Sequence, residues 1–371
     1  MAAFSKNDQT YMQLALTLAA RGKGRTSPNP MVGAVVVNNG DVVGRGFHAR
    51  AGEAHAEVVA LREAGERAHK ATLYVSLEPC AHVGKTPPCV DAIIEAGIQR
   101  VVAAMEDPHE IVKGRGFARL REEGIKVEVG CLEAKARQLN EFFVVYHERK
   151  RPFVTIKWAM SICGRTAHDN GQSKWISNRL SREYGHRLRA QHDAVMVGIG
   201  TVLADDPMLN VRLPNYTGAQ PKRVVVDGDL SIPTRARLLR ERGSSEIILF
   251  TTPFAKPVMI KHFEKEGCRV IVIPSNRRLI DMRHLLDELA RLGVMSVLIE
   301  GGRQIHTSLL TQGLADKIVA FVSPKIIGGM QLRAPVEDLG VSGIDSALVL
   351  KDVKWQIFGE DLCLEGYLRD I

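Results

Sequence analysis

Four residues in the first quarter of the chain have the types and spacing for metal-assisted hydrolysis. They are His55 and Glu57 in His-Ala-Glu, Cys80 in Glu-Pro-Cys and Cys89 in Pro-Pro-Cys. An imidazole and two thiolates form a soft nitrogen and sulfur set suited to zinc, and no fourth protein ligand is evident beside them. Structural zinc is closed off by four ligands. Three leave a position for water, whose pKa the metal brings towards neutral. Glu57, at the start of an expected helix, can reach that water without binding the metal and move protons between nucleophile and leaving group. His55 and Cys89 both fall at expected helix N-termini, whose positive ends favour a thiolate. Any one of these residues alone reads as a core cysteine or a satisfied surface histidine. Together, with a proline before each cysteine, they read as a zinc site.

These residues need a scaffold, and the first half of the chain supplies an alternating one. Gln9 to Arg21 has helical apolar spacing and stops at Gly22 and Gly24. Asn39-Gly40 between Val32–Val37 and Asp41–Gly44 signals a hairpin, because it supplies the positive φ angles of a type I′ turn. Helical patterning follows from His55 to Arg67 and from Pro87-Pro88 through Ala96, with strands expected at Thr72–Leu77, Arg100–Met105 and Ile125–Val129. A charged stretch from His147 to Pro152 marks the expected boundary, beyond which strand and helix patterns begin afresh. The fold class expected is α/β in two domains, 1–149 and 150–371. A chain of 371 residues, 45% hydrophobic, is also more than one compact core usually holds.

Composition narrows the function classes. Charged residues at 25% are ordinary for a globular protein. No apolar stretch reaches the roughly 18 residues that span a bilayer, and the N-terminus carries no signal-like apolar region, so a cytoplasmic protein is expected. Six cysteines are too few for a disulfide scaffold. The formal charge of +8 would suit a nucleic-acid binder, but residues 1–150 carry 20 basic against 18 acidic side chains and the remainder 30 against 24. With aromatics at 5% and no long run of like charge, the excess suits small phosphorylated ligands at least as well.

Two glycine patterns mislead. Gly84-Lys85-Thr86 invites a phosphate-loop reading, but the motif's first glycine would fall at Pro79. Gly44 and Gly46 follow a strand without opening a helix, so hairpin geometry explains them better than dinucleotide binding. In the second half, Val297–Ile299 runs through Glu300-Gly301-Gly302-Arg303 into a helix near Gln304, the pattern of an anion site at a helix N-terminus. Gly198-Ile199-Gly200-Thr201 is expected to be a close-approach turn, with Ala204-Asp205-Asp206-Pro207 as a loop after it.

His-x-Glu…Pro-Cys-x-x-Cys is the signature of zinc nucleobase deaminases. Eight residues separate the cysteines here, where that signature has two. The longer stretch Glu78–Cys89, with Pro28-Asn29-Pro30, Gly46-Phe47-His48 and Asp107-Pro108, resembles the deaminase half of the bifunctional RibD family of riboflavin biosynthesis. Ile156–Ser161, Ser173–Ile176 and Thr201–Pro207 resemble its reductase half, and the resemblance spans essentially the whole chain. It implies a cytidine-deaminase-like domain followed by a dihydrofolate-reductase-like domain that uses NADPH to reduce a ribosyl group to a ribityl chain. By this resemblance His55, Cys80 and Cys89 hold zinc, Glu57 shuttles protons, and Asn29, His48 and Lys85 face a phosphoribosylated pyrimidine, Lys85 as a phosphate partner. NADPH contacts carried over by position are Ala159, Trp175, Thr201, Asp205 and Gly302, Arg303, Gln304, Ile305, His306, Thr307 and Ser308. Ser173, Arg189, Leu209, Arg212 and Glu300 would meet substrate, with the two arginines as phosphate clamps. Three positions depart from the family: His109 stands for a more usual Asn and is left out of the site, Cys163 replaces an acid, and Gly228 replaces a serine that can contact the cofactor.

The expectation is a bifunctional enzyme with zinc and NADPH, a small phosphorylated pyrimidine as substrate, no nucleic-acid or membrane partner, and assembly as a homo-oligomer. The rival is a nucleic-acid base deaminase with a basic RNA-binding second domain. A third reading keeps the deaminase and makes the second domain a non-catalytic scaffold.

Overall fold

The computed structural model describes residues 4–81, 87–241, 243, 245–331 and 333–371. They form two compact units that divide between Lys150 and Arg151.

The first unit contains α1 (Lys6–Ala19), β1 (Gly33–Asn38), β2 (Asp41–Phe47), α2 (Ala56–Ala64), β3 (Thr72–Val75), α3 (Cys89–Glu95), β4 (Arg100–Ala103), α4 (Arg115–Glu122), β5 (Lys126–Val129), α5 (Glu133–Leu139) and α6 (Glu141–Arg149). Ser5 and Asp8 form a capping box that starts α1. The sheet order is β2-β1-β3-β4-β5, antiparallel at its first two junctions and parallel from β3 onward. The hairpin turn falls at Asn39-Gly40, both with positive φ. A Cβ on Gly44 would lie 2.1 Å from the Ala60 carbonyl oxygen, and one on Gly46 2.1 Å from that of Ala56. These glycines therefore let α2 rest directly on β2, which places the helix carrying Glu57; helix contact is their role, beyond the hairpin geometry expected. Val36, Leu73, Val101, Ile93 and Leu120 form the core between sheet and helices.

The second unit runs β6 (Phe153–Ser161), α7 (Arg179–Gln191), β7 (Ala194–Gly198), α8 (Ile199–Asp205), β8 (Lys222–Val226), α9 (Arg237–Arg240), β9 (Ile247–Thr251), α10 (Pro257–Lys265), β10 (Arg269–Val272), α11 (Met282–Arg291), β11 (Ser296–Gly301), α12 (Arg303–Thr311), β12 (Lys317–Ser323), β13 (Lys351–Phe358) and β14 (Asp361–Tyr367). Nine strands join in the order β10-β9-β8-β7-β11-β6-β12-β14-β13. The first seven are parallel and the last two antiparallel. Parallel strands buried on both faces need apolar residues throughout, and β7 and β9 are buried along their whole length.

Several short elements escape the sequence pattern. Helices expected at Phe117–Glu123, Arg179–Ala190 and Met282–Leu292 are present as α4, α7 and α11, whereas α5, α6, α8, α9 and α10 are absent from the expected set, and Thr201 to Asp205 belong to α8 instead of a turn and loop. The charged boundary is also more structured than a linker. His147 and Arg149 finish α6, while Arg151 is buried and grips Asp316 through two hydrogen bonds of 2.7 Å. Asp316 also accepts from the Val154 backbone N–H, so this pair ties the start of β6 to the residue before β12.

Candidate active sites

His55 is the N-cap residue of α2, Glu57 lies in that helix's first turn, and Cys89 opens α3. Cys80 follows β3 on the loop that leads towards α3. The fold brings their side chains together. His55 Nδ1 lies 3.0 Å from Cys89 Sγ and 3.6 Å from Cys80 Sγ, and the two sulfurs are 3.5 Å apart. Zinc bonds of about 2.0–2.3 Å in a tetrahedron give ligand–ligand edges of roughly 3.5 Å, so this donor set fits zinc in both chemistry and spacing. Among the described residues it is the one such cluster of three or more potential ligands.

Glu57 is buried and hydrogen-bonds towards Cys89. Burial, reinforced by the nearby Cys80, pushes its carboxyl up to about 7. Contact with Cys89 lowers the Cys80 thiol to about 4, while that same contact drives Cys89 upward. Asn29 and His48 join this group. The Asn29 Nδ2 amide donates to His48 Nε2 at 3.1 Å, and the His48 ring meets the His55 ring edge-on at 5.5 Å. Lys85 lies outside the described residues.

One residue of the Glu-Pro-Cys motif, which carries no expected role, supports the metal set from behind. Glu78 is buried, and its carboxylate accepts backbone N–H bonds from Asp107 (3.2 Å), Gly114 (2.9 Å), Gly116 (2.9 Å) and Phe117 (3.4 Å). A Cβ on Gly116 would lie 2.0 Å from the Pro79 carbonyl oxygen. The first turn of α4 is thus seated on Glu78-Pro79, which fixes the backbone leading into Cys80. A Glu two residues before a ligand cysteine was the available signal; its partners lie 29 to 39 positions away and carry no side-chain signature.

In the second unit, all sixteen residues expected to meet cofactor or substrate line one cleft of ≈ 1330 Å³ at the carboxyl ends of the parallel strands. β7 turns into α8 at Gly198, and β11 turns into α12 through Gly302, which has φ 106°. A Cβ on Gly301 would lie 2.5 Å from Thr201 Oγ1, so glycine there lets the two turns meet. The backbone amides opening α12, with Arg212, Arg237, Arg278 and Arg303 on the walls, suit a phosphorylated dinucleotide. Burial and the neighbouring Arg189 and Arg237 lower the pKa of Arg212, the signature of crowded positive charge that an anion would relieve.

Arg189 has a different setting from the open clamp expected. Its Nε and Nη2 bind the two carboxylate oxygens of Glu300 at 2.7 and 2.6 Å, and Nη1 donates to the Asn210 carbonyl. Burial would raise the Glu300 carboxyl, but Arg189 holds it down at about 2. Ser173 donates to Asp205 at 2.7 Å, joining an expected substrate contact to an expected cofactor contact. His306 is buried, donates from Nδ1 to the Pro335 carbonyl, and is held neutral by burial, with its pKa down to about 4. Lys157, quoted in its motif with no expected role, also lines the cleft; burial lowers its ammonium pKa while Glu300 opposes that shift.

The departures find physical settings. A Cβ on Gly228 would lie 2.1 Å from the Arg278 carbonyl oxygen, so no serine fits with that loop in place. Cys163 is not among the residues lining the cleft; its sulfur accepts the Ile327 backbone N–H at 3.3 Å. The His109 ring packs on His147 of α6, with centroids 4.4 Å apart.

The two units thus define a class: bifunctional enzymes with a hydrolytic deaminase on one domain and a reductase on the other. Residues 5–105 match the family described as the cytidine and deoxycytidylate deaminase zinc-binding region, and residues 152–364 match the RibD C-terminal domain. The chain belongs to the riboflavin biosynthesis protein RibD family. It is 43% identical over 358 residues to riboflavin biosynthesis protein RibD of Aquifex aeolicus, covering 96% of this chain and 97% of that one. The structure of Acinetobacter baumannii RibD superposes with a TM-score of 0.87 at 38% identity, covering 98% of this chain and 99% of that one. A Thermotoga maritima structure described as a diaminohydroxyphosphoribosylaminopyrimidine deaminase/5-amino-6-(5-phosphoribosylamino)uracil reductase gives 0.82 at 35% identity, covering 97% and 98%. The enzyme is accordingly a hydrolase and an oxidoreductase of riboflavin biosynthesis, with zinc and NADPH as cofactors. No described helix is long and apolar enough to cross a membrane.

Proposed function

We propose that residues 1–149 deaminate a phosphoribosylated diaminohydroxypyrimidine, and that residues 150–371 reduce the ribosyl group of the product to a ribityl chain. The observation that carries the first step is the gathering of His55, Cys80 and Cys89 with the buried acid Glu57 beside them. Zinc, when bound, activates a water for attack on the ring carbon that bears the amino group. Glu57 takes one proton from the water at its carboxylate and passes it to the ring nitrogen. It then takes the second from the hydroxyl formed on the ring carbon and passes it to the departing amino group, which leaves as ammonia. A carboxyl whose affinity for protons is raised by burial suits both halves of that exchange. Asn29 and His48 orient the pyrimidine, and Lys85 takes its phosphate.

The second step rests on the convergence of sixteen residues on one cleft. NADPH, when bound, supplies the two electrons that convert ribosyl to ribityl. The α12 N-terminus and Arg303 take cofactor phosphate, with Ala159, Trp175, Thr201 and Asp205 along its length. Arg212 takes substrate phosphate. Arg189 keeps Glu300 ionised and fixed, and Lys157 is the proton donor at the cleft floor. Gly228 leaves the cofactor without the family's serine contact. The enzyme works in the cytoplasm as a homo-oligomer and takes no nucleic acid.

Product analysis with the phosphoribosyl pyrimidine tests this directly. Without NADPH, ammonia and the deaminated ribosyl compound should accumulate; with NADPH, the ribityl compound should replace it. Deamination with no NADPH binding by fluorescence titration would instead support the scaffold reading. RNA binding that weakens steeply with salt would support the rival deaminase.

A further inference from the structure

Most arginines lining the reductase cleft have an assignment or a partner within it. Arg189 is locked on Glu300. Arg212, with Arg237 beside it, is assigned to the substrate phosphate, and Arg303 opens α12 where the cofactor pyrophosphate sits. Arg182 lies over the Trp175 ring, and Arg333 donates to the Asp169 carbonyl. That leaves Arg278, and it leaves one phosphate of NADPH, the 2′-phosphate, without a partner.

Arg278 stands where β8 ends. Gly228, two residues past that strand, also lines the cleft, and a Cβ there would lie 2.1 Å from the Arg278 carbonyl oxygen. The Gly228 carbonyl accepts from the hydroxyls of Thr251 and Thr252, at 3.1 and 2.7 Å. The glycine that replaces the family's serine therefore makes room for the arginine's backbone, on a turn that the end of β9 holds in place. The Arg278 guanidinium packs over the Phe254 ring, 5.8 Å from its centroid, and Nη1 donates to Asp229 Oδ2 at 2.9 Å. Both contacts restrain the side chain. A single hydrogen bond still leaves most of its N–H donors for a ligand.

Sheet order sets how far this point lies from the chemistry. β6, where Lys157 faces Glu300, carries the reaction; β11 with α12 is its neighbour, then β7, then β8. Adjacent strands are about 4.8 Å apart, so β8 lies about 14 Å across the sheet from β6, with the pyrophosphate site between them. A dinucleotide that reacts over β6 and rests its pyrophosphate on α12 carries its adenosine end towards β8.

We infer that Arg278 binds the 2′-phosphate of the cofactor's adenosine and thereby sets the preference for NADPH over NADH, in place of the missing serine contact. The inference rests on the reading of this cleft as the NADPH site. Guanidinium meets phosphate through two parallel, charge-assisted hydrogen bonds, which a serine hydroxyl cannot supply. The competing feature is Asp229, because a carboxylate beside the adenosine ribose accepts from its 2′-hydroxyl and favours NADH. Arg278 lines the cleft and Asp229 does not, and the arginine already neutralises that carboxylate.

Isothermal titration of the full chain with NADPH, NADH, adenosine 2′,5′-bisphosphate and 5′-AMP tests this without turnover. Wild type should bind NADPH more tightly than NADH, and the bisphosphate more tightly than 5′-AMP. Arg278→Gln should weaken NADPH and the bisphosphate by about 10- to 100-fold, the range of a hydrogen bond to a charged group. It should leave NADH and 5′-AMP as they were, which also shows that the variant is folded. Arg278→Lys, which keeps the charge without the fork, should recover part of the loss. In steady-state reduction, Arg278→Gln should raise the KM for NADPH and retain kcat at saturation. An Arg278→Gln protein with the wild-type ratio of NADPH to NADH affinity overturns the inference while the cofactor site stands. A wild type that prefers NADH assigns the ribose to Asp229 and also overturns it. A wild type that binds neither dinucleotide overturns the reading of the cleft itself. Should Arg278→Gln lose NADH as well, Arg278→Lys decides on the same ratio.

Discussion

The two sites are built at different scales. Three metal-facing side chains of the deaminase unit come from a 35-residue stretch, carried by the first turns of two helices and one loop. The reductase cleft draws on the ends of four parallel strands and on residues from Lys157 to Glu337. A compact set of scarce residue types declares its chemistry, because few other arrangements need His, Cys and Glu so spaced. A wide cleft uses common residue types, and its Arg189–Glu300 pair would pass for any surface ion pair in the sequence. Chemistry by a metal is concentrated, whereas binding of a long cofactor is distributed.

Substitutions can break that contrast, and the largest effect belongs to the concentrated site. Cys80→Ser should lose zinc and deamination together, because a three-ligand site has no ligand to spare. Glu57→Gln should keep its zinc yet lose deamination by roughly 10²- to 10⁴-fold. Both should oxidise NADPH normally when given the already deaminated substrate. Metal content, ammonia release and NADPH consumption measured side by side decide it, and a zinc-replete Cys80→Ser protein with full deamination would sink the assignment.

Arg189→Met comes next. It leaves the Glu300 carboxylate buried without its partner, which should cost about 3–5 kcal/mol, with Arg189→Met/Glu300→Gln recovering part of the loss. The three tryptophans, Trp158, Trp175 and Trp355, all lie in the second unit, so their fluorescence in urea reports on that unit alone. Equal stability of single and double variants would mean that the pair contributes nothing specific.

A smaller effect follows pH. Burial depresses the His306 pKa to about 4, so between the unfolded value near 6.5 and that lower one the unfolded chain binds a proton that the folded chain does not. Stability should therefore fall as pH drops through this window, by roughly 2 kcal/mol between pH 7 and pH 5 from this residue. His186, held down by burial and by Arg189 and Arg212, adds in the same direction. Tryptophan-monitored unfolding of His306→Gln should show a shallower loss; an unchanged slope would remove His306 from the account.

The smallest effect should come from Glu78. Glu78→Gln keeps the shape but loses the charge that its four backbone donors share, loosening the turn before Cys80. Zinc should pass to a chromogenic chelator about tenfold faster, with an unaltered fold by circular dichroism and reductase activity intact. Release at the wild-type rate would show that Glu78 steadies only α4.

Legibility followed the same division. The hairpin at Asn39-Gly40 and the long central strands appear where their turn residues and apolar runs place them. Helix α8 did not, because Ile199–Asp205 is seven residues flanked by Gly198 and the Asp206-Pro207 pair, and reads locally as a turn. Glu300 was legible only through resemblance, since its partner Arg189 is 111 positions away.

What the sequence determined by itself was the ligand chemistry of the first unit and the alternation of both. Residue type and short-range periodicity are local properties, and His55, Glu57, Cys80 and Cys89 carry them without help. Tertiary structure decided which common residues became a site. Packing β7 against β11 through Gly301 brought Thr201 to the mouth of α12, and burial turned Glu300 and Arg189 into a locked pair. It also decided what was left uncovered, because helices α11 and α12 end their cover at β12 while the sheet runs on to Trp355 and Ile357. Burial depends on every element that surrounds a residue, and no local window contains them.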